Sequence, residues 1–206
     1  MRQNVIVFFS LVVSVSAFAQ DNKNNWNVNF GRSFHGGSFD LHGLGFEVFH
    51  EYRLAKHFIL QNGLGFSMHF GTERFGTTVL RGNVVREELL HFTTAGLQAY
   101  SRIGFLFFDT NFHRLNLSVG PVARFQSRSV PVFFAFSPPT GPGFSNPSYY
   151  LYYENYLTLQ LGYQVMAQYL VALSKSFSMG GHIVIQNDLQ GDVITGFGLS
   201  LSAQIQ

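Results

Sequence analysis

The side chains with the most chemistry to offer are Glu47, Arg102, Arg124, Gln168 and His182. A carboxylate gathered with guanidinium, amide and imidazole groups away from water can form a hydrogen-bonded layer that holds a fold rigid. The same groups could line a path for protons or a small solute, or carry catalysis. Serines and histidines form a second set. His35 and Ser38 share one short segment, and His69 and His91 lie near the ends of apolar stretches. A lipid-modifying enzyme would need Ser, His and an acid in contact, and no spacing here makes that constellation recognisable. The eight His residues show no i, i+4 pair of a helical metal site, and cysteine is absent, so no metal and no cofactor is expected. No glycine-rich phosphate loop occurs. A formal net charge of +2 is too small to argue for a nucleic-acid partner.

The elements that must position these groups are strands. In residues 57–70, Phe58, Leu60, Leu64, Phe66, Met68 and Phe70 alternate with His57, Gln61, Gly63, Gly65, Ser67 and His69. That is the two-residue period of a strand with one apolar and one small or polar face. Residues 115–126, 157–171 and 193–205 repeat it, and 26–34, 39–52, 89–108 and 177–186 fill the gaps less regularly. The sequence thus predicts eight strands, an even number as barrel closure with both termini on one side requires. The connections 53–56, 109–111 and 174–176 are short and polar. Those at 35–38, 71–88, 127–149 and 187–192 fall on the other side. Two of these are long, and Pro138, Pro139, Pro142 and Pro147 interrupt one of them.

Charge decides which face is out. Charged residues are 12% of the chain, while Phe numbers 24 and Tyr 9. A water-facing barrel wall normally carries abundant charge. Here the polar face is mostly Gly, Ser, Gln, Asn and Thr, which suits a narrow lumen. The apolar face then meets lipid, with Leu161 and Leu199 outside and Gln164 and Ser200 inside. Aromatics support this. Tyr52, Phe58, Phe107, Phe108 and Phe112 gather at the short-turn end. Phe70, Phe92, Phe125, Tyr150, Tyr152, Tyr153 and Tyr156 gather at the other, as at membrane–water interfaces. Counting residues from the turns puts Glu47, Arg102, Gln168 and His182 at one depth, with Glu47 facing Arg102 across one strand. Pro121 lies mid-strand and removes a ladder donor, so a bulge or a gap in pairing is expected there.

Residues 1–19 read as a secretory signal. Arg2 is the positive start, 5–15 the apolar run, and Ala17-Phe18-Ala19 the cleavage motif. Residues 20–206 then form one barrel domain.

Three stretches carry a resemblance: 45–54 (GFEVFHEYRL), 57–66 (HFILQNGLGF) and 115–125 (LNLSVGPVARF). They resemble the small bacterial outer-membrane β-barrel domain family, PorT-like, and the architecture is similar to the OmpA and OmpX barrels. The resemblance implies a monomer in the outer membrane, surrounded by its lipids and inserted by the barrel-assembly machinery. The expectation is an all-β, eight-stranded antiparallel up-and-down transmembrane barrel, non-enzymatic, with a structural, adhesive or accessory role. Its lumen should be too full for a diffusion pore. Binding or lateral passage of a small hydrophobic ligand, and lipid modification, are the alternatives.

Overall fold

The computed structural model describes residues 24–36, 41–78, 85–137 and 148–205. The predicted signal segment, Ser38 and the four loop prolines 138, 139, 142 and 147 lie outside the described residues. Eight antiparallel strands follow one another: β1 (Asn24–Gly36), β2 (Leu41–Ala55), β3 (Phe58–Thr78), β4 (Val85–Asp109), β5 (His113–Ser137), β6 (Ser148–Ala172), β7 (Phe177–Asp188) and β8 (Val193–Ile205). Each pairs with the next, and β1 also pairs with β8, which closes the barrel.

The strands at one end run further than their alternation suggests. β3 and β4 stay paired from Phe70↔Thr93 to Thr78↔Val85, and β5 and β6 from Ser129↔Asn155 to Ser137↔Ser148. The segments 71–88 and 127–149, expected as loops, are therefore mostly hairpin arm. Across these segments the two-residue contrast fades from the sequence. The backbone groups still need partners, and the facing strand supplies them. The ladder between β4 and β5 ends at Thr93↔Ser129. From there the two hairpins rise as separate arms.

At Pro121 the structure has a gap and no bulge. The β4–β5 ladder passes from Tyr100↔Val122 to Ile103↔Val119 in unchanged register, skipping the two positions between. Pro121 remains opposite Tyr163 on the β6 side. The wall is not open there. A Cβ at Gly120 would fall 1.9 Å from the Ser101 carbonyl oxygen, so only glycine permits this approach. Bulges occur instead at Arg53/Ala55, Leu106/Phe108 and Pro131/Phe133. The last sits where Pro131 lacks its N–H. The β7–β8 turn is pinned by Asp188, whose Oδ1 accepts the backbone N–H of Gln190 and of Asp192, each at 2.9 Å. Gly191 takes the positive φ of 91° that this turn needs.

The polarity of the wall is that of a membrane barrel. Leu161 is 53% exposed and Leu199 50%, whereas Gln164 is 1% exposed and Ser200 0%. Trp26, Phe30, Leu64, Leu97, Val119, Ile183 and Phe197 are also exposed. These side chains form a contiguous apolar outer band on strands whose inward face is polar, the inverse of a water-facing barrel. This outer surface is therefore built for lipid. The aromatic pattern holds with one correction: Phe92 is buried at 4% exposure. It shares the inward face of β4 with Thr94, Tyr100 and Arg102, so it fills the lumen and takes no part in an outer girdle. The side chain of Tyr150 lies outside the described residues.

Candidate functional site

The lumen holds stacked polar groups, and Glu47 is the hub of the central ones. Its Oε1 accepts from Gln164 Nε2 at 2.7 Å and Gln98 Nε2 at 3.2 Å. Its Oε2 accepts from the Tyr100 hydroxyl at 3.3 Å and faces Arg102 Nη1 at 3.5 Å. Arg102 Nη1 also donates to Gln164 Oε1 at 3.1 Å. Its guanidinium lies 4.1 Å from the centre of the Tyr100 ring and 5.0 Å from that of Phe49, a cation–π arrangement at a fully buried arginine. Strands β2, β4 and β6 are thereby tied across the lumen.

Gln168 and His182 sit opposite each other on β6 and β7 and join a neighbouring cluster. Gln168 Nε2 donates to Asn29 Oδ1 at 3.3 Å, and its Oε1 accepts from Asn116 at 3.1 Å. Ser200 Oγ donates to the same Asn29 oxygen at 2.7 Å and touches His182 Nδ1 at 3.2 Å. The four residues expected at one depth thus split between two hydrogen-bonded groups. The two groups are side by side: Asn29 is the β1 partner of Glu47, and His182 lines the same small void as Glu47 and Gln164.

Phe49, Tyr100, Val122 and Met166 form a buried apolar cluster in the lumen, with Val184 against it. Toward the short turns, Glu51 takes hydrogen bonds from Gln61 at 3.0 Å and Asn25 at 3.2 Å and pairs with Arg114. Below lies an open vestibule of about 660 Å³, with the Arg53–Asp109 pair on its lining at 2.7 Å. The Glu51 group was within reach of the sequence, because Glu51 shares the inward face of β2 with Glu47.

Toward the long hairpins, Arg124 is buried and its guanidinium rests on Gly96, where a Cβ would fall 2.3 Å from Nε. The glycine is what leaves room for the arginine. Nearby, Ser33 Oγ and His69 Nε2 are 2.8 Å apart, and the His35 ring lies 5.3 Å from that of His69. Sequence reasoning missed the Ser33–His69 pair because β2 intervenes. Inward parity on β1 and β3 was the available signal. The pair lacks the acid of a nucleophile–base–acid series. Asp192 meets His35 at 3.4 Å instead, and His69 Nδ1 has no partner among the described residues. The internal void lined by Ser33 is about 40 Å³, room for a water and not for an acyl chain. Among the described residues no group of three or more His, Cys, Asp or Glu is placed to hold a metal ion.

Neither a family model nor a curated protein matches the sequence. Solved structures do match. Ail, the attachment invasion locus protein of Yersinia pestis, aligns at TM-score 0.50 and 10% identity over 90% of this chain and all of that one. Ail in complex with the heparin analogue sucrose octasulfate gives TM-score 0.52 at 8% identity, with the same coverage. Neisserial surface protein A gives 0.50 at 9% identity, over 88% of this chain and 97% of that one. The fold is that of an eight-stranded outer-membrane β-barrel. At these identities the likeness is one of fold, and the barrel's own residues must carry any reading of its role.

Proposed function

We propose that this barrel resides in the outer membrane, as a monomer exported by its N-terminal signal and inserted by the barrel-assembly machinery. Its sequence motifs support kinship with the small PorT-like barrels. It acts through its long hairpins as a structural or adhesive surface element, and neither conducts solutes nor catalyses a reaction. The observation that carries this reading is the filled lumen beneath two projecting arms. The Glu47 network and the Phe49–Tyr100–Val122–Met166 cluster occupy the interior. The paired arms of β3–β4 and β5–β6 are the elements that extend beyond the lipid-facing band.

Shortening both arms, to Phe70↔Thr93 and Ser129↔Asn155, should leave assembly intact and abolish attachment of the expressing cells to coated surfaces. Undiminished attachment with both arms gone would remove the adhesive role.

Two physical measurements bear on the rest. In a Gram-negative host the protein should fractionate with outer membrane and need detergent for extraction. Recovery as a soluble periplasmic monomer would overturn the membrane assignment. In planar bilayers the purified barrel should show no stable conductance steps of porin size, since eight strands enclose only enough space for side chains.

A further inference from the structure

The groups around Arg124 are built differently from the Glu47 network. Arg124 is 1% exposed, yet its Nε, Nη1 and Nη2 have no hydrogen-bond partner among the described residues. A buried charge without a partner is costly; Arg102 at least has Glu47 and Gln164 on Nη1, its Nε and Nη2 being without hydrogen-bond partners among the described residues. The nearby carboxylates do not supply the missing contact. Asp188 Oδ1 is held by the β7–β8 turn, and Asp192 Oδ2 accepts from Gln160 Nε2 and lies 3.4 Å from His35 Nε2. Acceptors are stranded in the same region: Asp188 Oδ2, Gln126 Oε1 and Gln160 Oε1 lack donors among the described residues. The Thr94 hydroxyl is buried without a partner as well. Arg128 lies on the same face of β5, four residues nearer the arms, and extends the basic column toward the mouth.

A guanidinium fork needs negatively charged oxygens in a plane. Stranded carboxylate and amide oxygens need a hydroxyl donor. One ligand group satisfies both, an oxyanion that keeps an O–H. We propose that the lumen end at Arg124 is a receptor for such a group, a protonated phosphate or a hydroxy-carboxylate, entering from the mouth between the hairpin arms. Arg124 takes the anionic oxygens, and Asp188 with the glutamine carbonyls takes the hydroxyl. Gly96 sets the height of the guanidinium.

Inorganic phosphate and sulfate separate the two requirements, because sulfate carries no hydroxyl at neutral pH. In detergent micelles at constant ionic strength, low-millimolar phosphate should raise the unfolding temperature saturably, as linkage demands of a ligand bound to the folded state. Sulfate should raise it less, and Arg124→Met should abolish the phosphate response. Lys175→Met, on the vestibule at the opposite end, should keep it. The Arg124 Nε–Hε resonance of the wild-type barrel should shift with phosphate over the same range, and it decides alone if Arg124→Met does not assemble. A phosphate response that survives in Arg124→Met, or an unmoved resonance, would overturn the site and leave water as the occupant. Equal responses to sulfate would overturn the hydroxyl requirement.

Discussion

Glu47→Gln and Arg102→Met are each expected to destabilise the barrel, by up to about 3–5 kcal/mol, and the double mutant by less than their sum. The contacts make the two single changes unequal. Without Arg102, Glu47 still holds hydrogen bonds from Gln164, Gln98 and Tyr100. Without the Glu47 charge, Arg102 keeps Gln164 and two aromatic faces, but its Nε and Nη2 already lack hydrogen-bond partners among the described residues. Glu47→Gln should therefore be the more damaging change. Arg102→Met removes a charge and leaves a side chain suited to the Phe49–Tyr100 surroundings. Urea or thermal unfolding in detergent, with the two singles and the double, measures the coupling. Strictly additive effects would mean that the 3.5 Å approach carries no energy and that the network rests on its amides alone.

Leu161→Arg should impair assembly by less than the ~2–4 kcal/mol of a mid-bilayer arginine, because the Leu161 carbonyl takes the N–H of Leu189 in the β7–β8 turn and so lies toward the outer edge of the wall. Leu161 points outward on β6, and Gln164 inward three residues later. From alternation alone, Gln164→Ala looks the milder change. The contacts raise its expected cost, because Gln164 donates to Glu47 and accepts from Arg102. Losing hydrogen bonds to charged groups costs about 1.5–3 kcal/mol each, so Gln164→Ala should be the costlier of the two, and the two should fail differently. Leu161→Arg should lower the yield of inserted barrel in lipid. Gln164→Ala should insert and then unfold at lower denaturant concentration. Cysteine labelling from the lipid phase gives the face directly. Labelling at 164 in preference to 161 would mean a register shifted by one residue, which reverses every side chain of the strand.

What the sequence determined by itself is what a period of two can encode. Strand number, strand order, the side of each connection and the face of each residue follow from which positions are apolar. Lipid and lumen each impose their own chemistry on alternate residues. The inward placement of Glu47, Arg102, Arg124, Gln168 and His182 was legible for that reason. Where that contrast fades the code is silent, and the sequence shows loops where β3–β6 form paired arms. Phe92 was misplaced because an aromatic residue suits a girdle and a lumen equally, and parity had to decide. Only the closed barrel decided the contacts between strands. Which inward side chains meet across the lumen depends on the tilt and stagger of the strands: Glu47 meets Gln164 and Tyr100, while Gln168 and His182 meet Asn29 and Ser200. The Ser33–His69 pair and the unpartnered guanidinium of Arg124 have the same origin. Each depends on distances across the lumen between strands that are not neighbours, and no periodicity within one strand records those distances.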